Sequence, residues 1–221
     1  ANPMSFNFDH SYISRLINEF QSGNKKESYN KFKDYIDSYP KDIVANYNFG
    51  CMSEVLGLTN NAISAYNNVI NLDKNHFESR LNLYLIYIKN NQYDLALPLI
   101  DSVLKIKPDY APALKDKAII FYKQDKIAIS LDLILKCIHI NSKDFLSLNL
   151  LGLIYKKKKI YTKAIESFIN AIRINPQYFQ AYNNLGNCYG EEERFDLAEE
   201  NFIKALNIEP NFYDCNNNLA N

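Results

Sequence analysis

Glycine and proline are scarce in this chain, six and seven among 221 residues. An all-β protein uses both in its tight turns, so the scarcity excludes that class and points to helix. Charge of one sign is lacking as well: 25 Lys and Arg balance 25 Asp and Glu, leaving a formal net charge of zero. Nucleic acids and anionic membranes select proteins with a basic footprint, so no nucleic acid and no membrane is expected as a partner. No apolar run approaches the roughly 18 residues of a spanning helix, and no secretion signal is recognisable. The four cysteines, Cys51, Cys137, Cys188 and Cys215, are dispersed without a CxxC pair. That is neither a disulfide framework nor a zinc signature, and a reducing, cytoplasmic setting is the expectation. What the chain does have is a 47% apolar share with 23% charged residues, enough for a folded core.

Reactive chemistry is equally sparse. The three histidines, His10, His76 and His139, are far apart in sequence, and no pair has ligand spacing. Phosphate-binding glycine loops, a nucleophile elbow and HExxH are all missing. No catalytic residue, metal or cofactor is therefore expected.

The order in the chain lies in a repeat. Pro40, Pro108, Pro176 and Pro210 are separated by 68, 68 and 34 residues, and a fixed period of this size is the mark of a repeat architecture. Ala62, Ala96, Ala164 and Ala198 share one phase of 34, with Ser28 and Ser130 in the two remaining slots. Six copies result, at residues 9–42, 43–76, 77–110, 111–144, 145–178 and 179–212, followed by a partial one at 213–221; residues 1–8 are set apart as a leader or tag remnant. With Phe179 as position 1, Tyr182, Leu185, Gly186, Tyr189, Ala198, Phe202, Ala205 and Pro210 occupy positions 4, 7, 8, 11, 20, 24, 27 and 32. The preceding copy has Leu148, Leu151, Gly152, Tyr155, Ala164, Phe168, Ala171 and Pro176 in the same places.

Small residues at 8, 20 and 27 let two helices approach, and large apolar ones at 4, 7, 11 and 24 fill the groove beside them. Position 15 reads Gly23, Gly57, Asn91, Asp125, Lys159 and Glu193. The first four suit the left-handed conformation that ends a helix. Tyr84 and Leu16 stand at the small position 8, where looser packing is expected. Pro98 falls in the early turns of a second helix, which tolerate it or bend slightly.

This pattern resembles the tetratricopeptide repeat (TPR) family over residues 9–221. The resemblance implies an all-α fold, a right-handed α-α superhelix or solenoid of about six helical hairpins plus the start of a seventh, in which each hairpin buries its faces by stacking. It also implies that the first helices line a groove at positions 2, 5, 6, 9, 12 and 13. Those positions carry Asn48, Asn82, Asn149, Asn183, Asn184, Asn187, Asn217 and Asn218, and Asn221 follows. A carboxamide both donates and accepts, so a row of them suits the main chain of an extended peptide. With thirty asparagines in the chain, compositional bias is the competing explanation. Lys89, Lys123 and Lys157 share position 13 and form a candidate basic strip for an acidic or phosphorylated segment. The family's clamp for chaperone C-terminal tails is not expected, because Lys115 is followed at position 9 by Ile119.

The functional expectation is a non-catalytic scaffold that holds a protein or peptide segment in the groove. The alternative is the N-terminal repeat arm of a larger glycosyltransferase or sulfotransferase that recruits its protein substrate, suggested by the half copy at residues 213–221. End-to-end self-association through an uncapped last hairpin is a further expectation.

Overall fold

The structure, a computed structural model, describes residues 8–212. The expectations resting on Cys215, Asn217, Asn218, the partial seventh copy and end-to-end association through it lie outside the described residues. Within them are twelve α-helices and no strand. They fall into two compact units, one up to Pro108 and one from Asp109. The first holds α1 (His10–Gln21), α2 (Lys25–Ser38), α3 (Ile43–Val55), α4 (Thr59–Leu72), α5 (Phe77–Lys89) and α6 (Tyr93–Ile106). The second holds α7 (Ala111–Lys123), α8 (Ile127–Ile140), α9 (Phe145–Lys157), α10 (Tyr161–Ile174), α11 (Phe179–Glu191) and α12 (Phe195–Ile208).

The first helix of a pair often begins on a side-chain cap. Asp9 accepts from the Tyr12 amide at 2.9 Å, Asp42 from Ala45 at 3.2 Å, His76 Nδ1 from Ser79 at 3.2 Å and Asp144 from Leu146 at 3.2 Å. Each satisfies an amide that the first turn leaves without a helical acceptor. The turn into the second helix has one form throughout. Position 15 is left-handed in all six copies, from Gly23 and Gly57 through Asn91 and Asp125 to Lys159 and Glu193, the last two both at φ 60°. The next amide then donates back five residues, as Asn24 does to Glu19 at 3.1 Å and Ile160 to Tyr155 at 2.9 Å. This is the wide bond of the Schellman motif. Lys159 and Glu193 adopt it although the sequence reading reserved it for the first four copies, because the pairing geometry of the hairpin overrides local preference.

Helix pairs cross at position 8. A methyl group on Gly152 would come within 2.5 Å of the Phe168 ring, one on Gly186 within 2.6 Å of Phe202, and one on Gly50 within 2.5 Å of Tyr66. In these three copies position 24 thus occupies the space that glycine leaves. The expected loosening at Tyr84 and Leu16 does not show as exposure, since both are 1% exposed. Tyr84 stands in the copy whose position 24 is Ile100, fully buried, so here the aromatic ring is on the first helix and the second helix carries a branched aliphatic side chain. Leu16 joins Phe32 and Tyr35 in one apolar cluster. Pro98 lies inside α6, which runs its full fourteen residues.

In the second unit α7 meets α9 and α9 meets α11, while α8, α10 and α12 each pack on first helices. First helices form an inner layer there and second helices an outer one.

Candidate functional site

Two register positions on the first helices make recurring contacts in both units. Position 34, just before the next first helix, sits against position 5 of its own copy. Tyr47 and His76 approach with ring centroids 5.3 Å apart, Lys115 Nζ meets Asp144 Oδ2 at 3.0 Å, and Asn149 Nδ2 donates to the Tyr178 hydroxyl at 3.5 Å. Position 6 then reaches back to position 5 of the preceding copy. Asn82 Nδ2 donates to the Tyr47 hydroxyl at 3.3 Å, and Asn184 Nδ2 to Asn149 Oδ1 at 3.1 Å.

Around Asn82 the first unit gathers a closed polar cluster. The Tyr66 ring lies over Gly50 and carries its hydroxyl to Glu54 Oε2 at 2.5 Å and to Cys51 Sγ at 3.5 Å. Asn82 Nδ2 also approaches the Tyr66 hydroxyl at 3.4 Å. Burial first, then the bonds to Cys51 and Glu54, push the Tyr66 phenol well above its ordinary range. It is therefore a fixed donor at neutral pH. Asn48 turns its amide onto the Val44 carbonyl of its own helix at 2.8 Å. Lys89 ends α5, exposed.

The second unit divides its polar groups differently. Asp144 accepts from Lys115 and, at 2.7 Å, from the Ser147 hydroxyl, which also lies 3.3 Å from Cys137 Sγ. Burial alone would raise the Asp144 carboxyl, but the Ser147 hydroxyl and the Lys115 ammonium outweigh it and hold the group below the ordinary carboxylate value. Burial also pushes the Cys137 thiol up and carries Cys188 up to about 11. Both are protonated at neutral pH and poorly suited to nucleophilic work. Asn149 and Asn183 are buried, whereas Asn184 and Asn187 are half-buried. One N–H of Asn184 goes to Asn149. Its carbonyl oxygen and second N–H have no partner among the described residues, nor has the Asn187 amide.

Of the lysines at position 13, Lys157 pairs with Asp125 Oδ1 at 2.9 Å and lies 5.3 Å from the Tyr122 ring centroid. Asp125, the left-handed turn residue one copy earlier, thus neutralises it. Lys123 ends α7, exposed, and belongs to a different unit from Lys89.

Reading positions 5 and 6 as ligand-facing missed that they bond to each other and to position 34. The identities of Asp144 and Tyr178 at position 34 were the available signal. No group of His, Cys, Asp or Glu among the described residues is arranged to hold a metal ion, and none of their helices is long and apolar enough to cross a membrane.

Stacked two-helix units with a left-handed turn every 34 residues, three of them crossing at a glycine, define a helical repeat protein. Family models for the TPR repeat and the tetratricopeptide repeat match residues 152–192 and 179–212, and together with the solved TPR structures below they support a tetratricopeptide repeat family for the chain. No curated protein sequence matches it. Among solved structures it is similar to that from a functional characterization of Pseudomonas aeruginosa pilF, with a TM-score of 0.76 at 13% identity over 96% of each chain. It is similar to YrrB, described as a TPR protein with an unusual peptide-binding site, with a TM-score of 0.70 at 17% identity over 86% of this chain and 98% of the other. MamA aligns with a TM-score of 0.68 at 25% identity, over 76% of this chain and 92% of its own.

Proposed function

We propose that the chain is a protein-interaction array whose second unit holds an extended peptide across the inner layer, chiefly by its main chain, at Asn184 and Asn187. The observation that carries this is the Asn184–Asn149 bond. It fixes one amide and leaves a carbonyl oxygen and an N–H half-exposed beside Asn187, three residues along the same helix face. A carboxamide presented in this way matches the alternating donor and acceptor of a peptide backbone. The first unit supports this role less well, because Asn82 and Asn48 are already bonded internally.

A peptide of about 12 residues, at ~3.3 Å per residue, is long enough to cross three first helices at ~10 Å spacing. Such peptides, selected from a random displayed library against the purified chain, provide the probe. Asn184→Ala combined with Asn187→Ala is expected to weaken a selected peptide about tenfold, as two lost hydrogen bonds would. Unchanged affinity would remove the reading.

A further inference from the structure

The outer layer of the second unit carries a row that the first unit lacks. Position 25 is Leu135 on α8, Ile169 on α10 and Ile203 on α12, exposed to 43%, 37% and 43%. The same position in the first unit is Lys33, Asn67 and Asp101. Three branched apolar side chains left partly in water at one register position of consecutive copies form a row that another apolar face can cover.

The charges beside the row restrict what fits it. Three residues before each apolar member, at position 22, stand Asp132, Glu166 and Glu200, all exposed. Four residues after it, at position 29, stand His139, Arg173 and Asn207, also exposed. Positions 22, 25 and 29 lie on one face of a helix. Each outer helix thus runs acidic, apolar, then basic or neutral along its length. Such a face is complementary to itself when turned around. A two-fold axis through Ile169 lays α10 antiparallel on its counterpart, placing Glu166 opposite Arg173 of the second copy and Ile169 beside its equivalent. The same rotation brings α12 over α8, so that Glu200 faces His139 and Asp132 faces Asn207.

We propose that this outer face is an isologous contact with a second copy of the chain, centred on Ile169. The row is one residue wide on each helix, so the interface belongs to the small class, below about 1,200 Å², and the dimer is weak. Glu200 already meets Lys204 of its own helix at 3.2 Å and Arg173 donates to Asn170 Oδ1 at 2.9 Å, so Glu166 is the more telling acidic member and Arg173 turns from Asn170 to meet it.

Sedimentation equilibrium over a micromolar to millimolar concentration range tests the proposal, with circular dichroism as the check on folding. The wild-type chain is expected to shift from monomer to dimer. Ile169→Glu should weaken dimerisation at least about tenfold. Glu166→Arg should also weaken it, by setting like charges opposite each other, and adding Arg173→Glu to the same chain should restore it. That rescue separates a two-fold contact from non-specific adhesion. A wild-type chain that stays monomeric to millimolar concentration, association unchanged by Ile169→Glu, or a charge swap that fails to restore dimerisation would each overturn the proposal.

Discussion

In the first unit the residues held left-handed at the hairpin turns are Gly23, Gly57 and Asn91; in the second they are Asp125, Lys159 and Glu193. The helix crossings differ in the opposite sense. The second unit clears two of its three with Gly152 and Gly186 and the third with Ala118, whereas the first has Leu16, Gly50 and Tyr84. One register therefore tolerates unfavourable residues at the turn or at the crossing, and each unit relaxes a different one. The lesson is that the crossing accepts several pairs of side chains at positions 8 and 24, while the turn is a matter of backbone conformation alone.

The largest expected effect breaks the crossing comparison. Tyr84→Gly should destabilise the chain by about 3–5 kcal/mol in chemical denaturation, because Ile100 cannot fill the vacated ring volume. Gly152→Leu, the reverse change against Phe168, should cost about 1–3 kcal/mol through overpacking. A negligible loss for Tyr84→Gly would mean that the copy is not packed through its position 8.

Next comes the Lys115–Asp144 ion pair of the second unit. Asp144→Asn should cost about 1–3 kcal/mol near neutral pH, since Lys115 and Ser147 lose a charged acceptor. The sign of its pH dependence follows from the depressed carboxyl. The stabilisation is complete above the unfolded value of about 3.9 and is lost as the pH falls through the lower folded value. Wild-type and variant denaturation midpoints should therefore converge on acidification below about pH 4, and a constant gap would assign the loss to something other than charge.

The smallest effect sharpens the turn comparison. Lys159→Gly should stabilise by about 0.5–1 kcal/mol by relieving the left-handed strain, and Gly57→Lys should cost a similar amount. Melting temperatures that move together rather than in opposite directions would contradict it.

The fold was legible because proline, glycine and alanine recur at 34-residue spacing, and small residues at fixed phase report close helix approach whatever surrounds them. The candidate site was legible only in part. Asn184 and Asn187 are half-buried on α11, whereas Asn149 and Asn183 are buried and Asn48 bonds its own helix. Side-chain amides choose partners by local geometry, which spacing does not encode. The same holds for Lys157, whose partner Asp125 lies 32 residues earlier on a turn rather than on a groove-facing helix. The phenol, thiol and amide cluster at Tyr66 escaped notice because position 24 read as a core residue, and only its hydroxyl reaches Cys51 and Glu54.

Nitrogen-15 NMR of the side-chain amides during titration with a selected extended peptide tests the central claim most directly. The account predicts that the Asn184 and Asn187 resonances shift with the peptide's own binding curve while Asn48 and Asn82 stay in place. Shifts confined to the outer faces of α8, α10 and α12, with Asn184 and Asn187 unmoved, would contradict it.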